Sequence, residues 1–314
     1  MLVVSDLSAV PEAARGAAVA LGNFDGVHRG HAVVITAAAE AARCLGVPLA
    51  ALTFEPHPRQ VFRPDDPPFR LTLAEAKADA LAALGVEVLF SVPFDLAFSR
   101  IEAADFVRDI LAVRLGTRHL VCGPNFHFGH RRTGTPELLK ELAAPLGIGV
   151  TVVEQAIGPC GTRWSSTAIR HALAEGDTAR AATILGRPWE IRGAVERGEQ
   201  LGRTLGFPTA NIPLGAHLAP RLGIYAVRAG IEDGLGGVTW HDGAANLGLR
   251  PTVNPVPAPL LEVFVFDFAG DLYGRRMRVQ LVSFLRPEAK FESLDAMVAQ
   301  MHDDCRAARE VLAD

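Results

Sequence analysis

The run Leu21-Gly22-Asn23-Phe24-Asp25-Gly26-Val27-His28-Arg29-Gly30-His31 decides the fold of the first half of this chain. An apolar stretch, residues 17–21, ends at Gly22, and a helical apolar pattern runs from about residue 31 to 45. The glycines between them bend the chain, so the segment reads as strand, tight loop and helix. A helix N-terminus offers N–H groups and the positive end of the dipole, a natural seat for phosphate. Gly30 lets the backbone approach a ligand closely. His28 and His31 can both point at one anion, where two positioned imidazoles would stabilise charge building on a phosphorus atom under attack. Two other readings stand beside this one. One histidine could cap the helix while the other is merely exposed. A zinc site is the second, although the helical His-Glu-x-x-His spacing is missing.

Outward from this loop, strands and helices alternate. Residues 48–54, 86–92, 119–122 and 149–153 read as strands, and residues 72–84, 103–115 and 136–146 as helices. Such alternation predicts an α/β fold, a doubly wound parallel sheet with helices on its faces. Ligands in such sheets bind at the carboxyl ends of strands, so the loops after Leu21, Phe54 and Cys122 should carry the site. Two short helical stretches follow, residues 167–175 and 177–185. From Trp189 the texture changes to short strands broken by Gly, Pro and Asp, at residues 190–196, 225–229, 238–240, 262–268 and 277–284. That pattern predicts an antiparallel barrel or sandwich. The tail, residues 293–312, reads as one amphipathic helix, apolar at Leu294, Met297, Val298 and Met301. The boundary is expected at Gly186-Arg187-Pro188, dividing the chain into residues 1–186 and 187–314.

The 314 residues suit two domains, each long enough to bury a core. A net charge of -4 without a basic tail argues against a nucleic-acid partner, whose backbone demands a positive footprint. Lys77, Lys140 and Lys290 are the only lysines, so the cationic groups are nearly all guanidinium, which suits phosphate. Cys44, Cys122, Cys160 and Cys305 are widely spaced without a C-x-x-C, as expected of free thiols in a reducing compartment. The first twenty residues lack a basic, then apolar, leader, and no apolar run reaches membrane-spanning length. The expectation is a cytoplasmic protein without membrane or nucleic-acid partners, a monomer or weak homo-oligomer.

Two further runs carry chemistry. Arg163-Trp164-Ser165-Ser166-Thr167-Ala168-Ile169-Arg170 opens a helix with hydroxyls and ends on a guanidinium. It reads equally as an N-cap cluster and as an anion cradle. Gly202-Arg203-Thr204-Leu205-Gly206-Phe207-Pro208-Thr209-Ala210-Asn211 reads as a tight loop between strands. If its end is extended, Thr209 and Asn211 share a side and could hold Mg²⁺ with its phosphates. The alternative is a turn in which both bond their own backbone.

H-x-G-H followed by S-S-T-x-I-R resembles the nucleotidyltransferase superfamily. More narrowly, G-N-F-D-G-V-H-R-G-H, Thr53-Phe54-Glu55-Pro56-His57-Pro58 and Gly123-Pro124-Asn125-Phe126-His127-Phe128-Gly129 resemble bacterial bifunctional riboflavin kinase/FMN adenylyltransferases. The likeness spans essentially the whole chain. It implies a nucleotidyltransferase-type sheet followed by a riboflavin kinase-like barrel with a terminal helix. The implied substrates are ATP, riboflavin and FMN, with Mg²⁺ serving both reactions. It implies that His28 and His31 stabilise the transferring α-phosphate. Gly22, Asn23, Phe24, Asn125, Arg163, Ser166, Thr167 and Arg170 would bind that ATP, and Phe62, Phe106 and Phe128 would flank the flavin. Pro208-Thr209-Ala210-Asn211 resembles the riboflavin kinase P-T-A-N signature, which makes Thr209 and Asn211 ligands of Mg²⁺ and phosphate. Ala245-Asn246-Leu247-Gly248, Arg250-Pro251-Thr252 and Glu262-Val263 resemble the segment that ends in the kinase's catalytic Glu, so Glu262 is the implied base. Asp267–Gly274, Leu285-Arg286-Pro287-Glu288 and Lys290-Phe291 match the kinase as well.

The chain departs from the family at His127, where Arg is common, and at residues 131–135, which lack the usual Gly-Asp pair. The stretch 252–260 is unusually proline-rich. Two rival outcomes are an enzyme with only its kinase half active and a non-catalytic flavin-binding regulatory module.

Overall fold

The computed structural model describes residues 1–158, 161–198, 205–250 and 258–313. Cys160, the start of the kinase-like loop at Gly202, Arg203 and Thr204, and Pro251 and Thr252 with the rest of 251–257 lie outside the described residues. The chain divides into two compact units. Met1–Pro67 with Thr72–Ser165 makes the first, and Pro68–Leu71 with Ser166–Asp314 makes the second.

The first unit holds six parallel strands: β1 (Leu2–Val4), β2 (Ala18–Leu21), β3 (Leu49–Glu55), β4 (Val88–Pro93), β5 (His119–Cys122) and β6 (Gly149–Val152). Their order is β1-β4-β3-β2-β5-β6. Side chains alternate between two cores. Val19, Leu21, Ala50, Leu52 and Phe54 enter one, and Ala18, Ala20, Leu49 and Ala51 enter the other. Both faces are covered, which is why β2 and β3 read as unbroken apolar runs. Helix α1 (Arg29–Leu45) covers the second core with Val34, Ile35, Ala38 and Ala42. After the short α2 (Pro58–Phe62), Leu81 of α3 (Ala74–Ala82) joins the same core. The opposite face is covered by α5 (Pro136–Ala143) and by the turn α4 (Ala103–Asp105), which widens into a π-helix, Phe106–Arg114. Chain order runs from β2 toward β3 and β4 on one side and from β5 to β6 on the other. The sheet therefore has its switch point between β2 and β5, where their carboxyl-end loops diverge and leave a crevice.

The second unit begins with α6 (Ser166–Glu175) and α7 (Thr178–Leu185). Six antiparallel strands follow: β7 (Trp189–Ala194), β8 (Thr209–Pro213), β9 (Gly223–Glu232), β10 (Val238–Arg250), β11 (Ala258–Val265) and β12 (Arg276–Arg286). Their order is β7-β12-β9-β10-β11-β8. Glu196, just beyond β7, donates its N–H to the Asn211 carbonyl of β8 at 2.8 Å, so the two edges meet and the sheet curls into a barrel. Ile191, Ile212, Val227, Leu247, Leu261 and Val279 are all buried. Helix α8 (Leu294–Leu312) lies on the outer face, packing Ala308 and Leu312 on Ala226, Ala244 and Phe266. Its Asp304 accepts two hydrogen bonds from the Arg286 guanidinium at 2.7 and 2.6 Å and one from the Gln300 amide at 3.1 Å.

The elements differ from the sequence expectation in six places. β1 carried no signal, being three residues long. Residues 56–68, expected as loop, contain α2, started by a His57 cap whose Nδ1 accepts the Arg59 N–H at 3.1 Å. The helix expected over 103–115 is mostly π-wound, and Leu115 donates its N–H to Ile110, five residues back, at 3.0 Å. Thr209 to Pro213 is a strand rather than part of a turn. β10 runs far beyond residue 240 because barrel pairing on both edges overrides its glycines. On α8 the packed face lies toward Ala308 and Leu312, while Leu294 is 54% exposed.

Removing the Asp304 carboxylate leaves the Arg286 guanidinium without its bidentate partner. Asp304→Ala is expected to destabilise the second unit by about 2–3 kcal/mol, with part retained in Asp304→Asn. Chemical denaturation followed by circular dichroism measures it, and an unchanged midpoint for Asp304→Ala contradicts the assignment.

Candidate active sites

The loop after β2 is held in an unusual backbone path. Phe24, Gly26 and Val27 have φ of 49°, 90° and 41°, in the left-handed region that favours glycine. Phe24 is fully buried and Val27 is 3% exposed, so packing holds two non-glycine residues there. The buried Asp25 carboxylate accepts the Thr72 N–H at 3.1 Å. The Thr72 hydroxyl in turn accepts the Gly26 N–H at 3.0 Å. On the other side, Thr53 of β3 donates its hydroxyl to the Asn23 carbonyl at 3.0 Å. Thr53 also accepts from the Lys77 ammonium at 3.1 Å. Lys77 is 1% exposed on α3 and pairs with Glu55 at 2.7 Å.

The loop delivers the chain to α1 through a reciprocal cap. His28 is the N-cap, and its Nδ1 accepts the His31 N–H at 3.2 Å. The His31 Nδ1 accepts the His28 N–H at 3.3 Å. Each neutral ring that accepts at Nδ1 carries its proton on Nε2. The rings stack with centroids 3.7 Å apart and planes 16° from parallel. Both histidines thus cap the helix. His28 is buried and His31 half-buried against the edge of Phe24, 5.2 Å between centroids. Among the described residues no group of three or more His, Cys, Asp and Glu is placed to hold a metal ion.

Gly30 is required by its surroundings. A Cβ there would stand 2.8 Å from the Trp164 carbonyl and 3.0 Å from the His28 ring. Residues 163 and 164 therefore pass directly over the helix start, and the Arg29 guanidinium lies 5.7 Å from the Trp164 ring centroid. Arg163, the residue before, is exposed. Asn125, in the loop after the neighbouring strand β5, is exposed and donates its amide to the Gln155 side chain at 3.0 Å. Of the expected flavin residues, Phe62 ends α2 and is 58% exposed, with its ring edge-on to Phe94 at 5.8 Å. Phe106 and Phe128 lie in the core at 2% and 6% exposure, 5.6 Å apart. They support the aromatic cluster and expose little ring face. Ser166, Thr167 and Arg170 open α6 in the second unit. There the Arg170 Nε donates to the Phe69 carbonyl at 2.9 Å and the guanidinium lies over the Phe69 ring.

The second unit assembles its polar residues by strand register. Asn211 of β8 is opposite Glu262 of β11, and Glu262 is opposite Asn246 of β10. Register partners share a face, so the three side chains form one row across the sheet. Their strand neighbours Ala210, Ile212, Leu261, Val263, Ala245 and Leu247 are buried on the opposite, interior face. Thr209 precedes Asn211 by two residues and shares its side. The Asn211 amide nitrogen donates to the Thr209 carbonyl at 3.4 Å. Gly198 packs on that amide so closely that a Cβ would stand 2.6 Å from Nδ2. Glu288, beyond β12, reaches the same row: a Cβ on Gly248 would stand 2.5 Å from its carboxylate oxygen and 3.4 Å from the Asn246 amide nitrogen. The Asn246 Oδ1 is a buried acceptor without a hydrogen-bond partner among the described residues. Glu262 is half-buried rather than an exposed strand residue.

Sequence reasoning missed Thr53, Lys77 and Thr72 around the first site, and gave Asn246 and Glu288 no role at the second. Lys77 left one trace, as one of three lysines in the chain placed on the buried face of an apolar helix.

Comparison with known proteins agrees with both halves. Residues 10–168 match the FAD synthetase family and residues 185–312 the riboflavin kinase family. The bifunctional riboflavin kinase/FMN adenylyltransferase of Pseudomonas fluorescens is 42% identical over 95% of this chain and 94% of its own length. That of Escherichia coli K12 is 40% identical over 98% and 96%, and that of Bacillus subtilis 35% over 92% and 90%. A crystal structure from Streptococcus pneumoniae, described as a macrolide-efflux protein, superposes with a TM-score of 0.85 at 29% identity over 98% of both chains. Among the described residues no helix is long and apolar enough to cross a membrane. With both family halves present and near full-length likeness to the bifunctional enzymes, the chain belongs to the bifunctional riboflavin kinase/FMN adenylyltransferases, which phosphorylate riboflavin to FMN and adenylylate FMN to FAD.

Proposed function

We propose that residues 1–186 carry the adenylyl transfer and residues 187–314 the phosphorylation, each through its own polyphosphate site. In the first, an FMN phosphate oxygen attacks the α-phosphorus of ATP, the bond to the β-phosphate bridge breaks, and pyrophosphate leaves. The Nε2–H groups of His28 and His31 donate to the α-phosphate oxygens as charge builds on them. The backbone of Gly22, Asn23 and Phe24 and the start of α1 seat the nucleotide. Asn125 and Arg163 hold the triphosphate, with a guanidinium fork matched to phosphate oxygens. Phe62 stacks on the isoalloxazine, backed by Phe106 and Phe128. The observation that carries this assignment is the reciprocal cap, which sets two stacked imidazoles at a helix N-terminus beside the switch point of the sheet.

In the second site, the riboflavin 5′-hydroxyl attacks the γ-phosphorus of ATP and ADP leaves, with Glu262 accepting the hydroxyl proton. Thr209 and Asn211 hold Mg²⁺ and the phosphates. The donor chemistry fits: a hydroxyl and an amide are hard oxygen ligands, and Mg²⁺ takes few protein donors when substrate phosphates supply the rest. The unpartnered Asn246 Oδ1 adds a third oxygen to the row. Bound Mg²⁺ neutralises phosphate charge in both reactions. The chain works in the cytoplasm on small molecules, as a monomer or weak homo-oligomer, without a nucleic-acid partner.

Product analysis with riboflavin, ATP and Mg²⁺ tests the division. His28→Ala should accumulate FMN, with FAD formation lowered about 10²–10³-fold, the scale of one transition-state donor. Asn211→Ala should make no FMN from riboflavin yet convert supplied FMN to FAD. FAD formation at the wild-type rate by His28→Ala refutes the histidine role. Chelation by EDTA should stop both reactions, and turnover continuing in excess chelator removes the metal from the scheme. Phe62→Ala should raise the KM for FMN about tenfold, the order of one lost stacking contact, with riboflavin phosphorylation unchanged. An unaltered KM moves the flavin elsewhere.

A further inference from the structure

We propose that Lys77 and Thr53 are positioning residues for adenylyl transfer, acting through the Asn23 carbonyl of the histidine loop. The inference rests on that loop being the adenylyltransferase site. A lysine is almost never fully buried unless paired, and Lys77 is 1% exposed with Glu55 at 2.7 Å. An ion pair built only to tie α3 to β3 would be complete at that point. Here the ammonium also reaches Thr53 at 3.1 Å, and Thr53 reaches Asn23 at 3.0 Å.

The directions of these bonds are forced. An ammonium only donates and a carbonyl only accepts, so the single Thr53 proton must point at Asn23. A hydroxyl that accepts from a cation becomes a stronger donor, so the buried charge tightens the grip on the loop. The carbonyl it grips precedes Phe24, at φ 49°. Because the peptide is planar and trans, fixing the Asn23 oxygen fixes the plane of the Asn23–Phe24 peptide and the opposite direction of the Phe24 N–H. On the far side Thr72 and Asp25 secure Gly26. The loop is thus pinned at Asn23 and at Gly26, five and two residues before His28. Neither Thr53 nor Lys77 touches a reacting atom. They set the path of the backbone that does.

The test uses the full chain, with riboflavin phosphorylation by the second half as the control on enzyme amount and thermal unfolding as the report on whether the first half of each variant is folded. Thr53→Val removes the hydroxyl at nearly constant shape, Thr53→Ser restores it, and Lys77→Met removes the charge. FMN supplied directly gives kcat and KM for FAD formation, alongside thermal unfolding. Thr53→Val is expected to lower kcat for FAD formation about tenfold, the order of one charge-assisted hydrogen bond, with the KM for FMN within about twofold. Thr53→Ser should return to within about twofold of wild type. Lys77→Met should match or exceed the loss in Thr53→Val while riboflavin phosphorylation persists. Full FAD formation by Thr53→Val overturns the proposal, as does a Thr53→Ser variant no faster than Thr53→Val. Loss of both activities together in Thr53→Val, with a lowered unfolding temperature, overturns it in favour of a purely structural pair. A His28→Ala control separates the two levels: if it is fully active, the site assignment fails, and if it is inactive while Thr53→Val is unaffected, only the positioning role fails.

Discussion

The reciprocal hydrogen bonds between the backbone and rings of His28 and His31 are the constraint on which the first half depends. A helix begins with N–H groups that the helix itself cannot satisfy. Here two side chains close this gap by capping each other's backbone. Capping consumes Nδ1 on both rings, and so fixes which nitrogen keeps the proton. It also fixes ring orientation, since a stack at 3.7 Å leaves little room to rotate. Gly30 and the positive φ of Phe24, Gly26 and Val27 follow from the same requirement. The chain must turn sharply from β2, pass beneath the Trp164 carbonyl, and still present both imidazoles on one side.

The second half reaches a comparable end by a different route. The polar row of Asn211, Glu262 and Asn246 exists because β8, β11 and β10 pair in one register. A slip of one residue on β11 would send Glu262 into the apolar interior and bring Leu261 or Val263 outward. The hydrophobic alternation of the barrel therefore protects the site indirectly. The Arg286–Asp304 pair contributes at the end of the row, since Arg286 is the register partner of Ile224, which is itself opposite Asn246. Packing of α8 and the geometry of the kinase row are linked through that strand.

Much of this was legible in the sequence because it rests on short-range rules. Strand, glycine turn and helix around residues 21–31 are local, and so is the alternation of strands and helices that gives a parallel sheet. The sharing of a side by Thr209 and Asn211 follows from period two alone once the segment is extended. What escaped was either too short or too distant. β1 has three residues, and α2 hides among prolines. The π-winding of Phe106–Arg114 changes the hydrogen-bond partner without changing the apolar pattern. Thr53 and Lys77 are separated from Asn23 by whole elements, so only the β2–β3 pairing and the packing of α3 bring them together. Phe106 and Phe128 show the limit of motif reasoning for aromatics, because a ring near a motif can support a binding ring from the core without offering a face of its own.

Both halves solve the problem of holding polyphosphate in a chain of net charge -4. Long-range attraction cannot do it, and at physiological ionic strength it would be screened beyond about 8 Å in any case. Affinity has to come from donors at contact distance, and such donors act strongly only when their directions are set before the ligand arrives. That explains why so much buried structure surrounds a few polar atoms: a cap made of two histidines, a clamp from Asp25 and Thr72, and a lysine sealed beneath the loop. It also fits a lysine at position 77 in a chain whose cations are mostly arginine. The point-like ammonium serves Glu55 and Thr53 from within an apolar layer, where a planar guanidinium would need more room and more acceptors. A cation placed this way contributes orientation to a loop that a surface arginine, however well charged, could not supply.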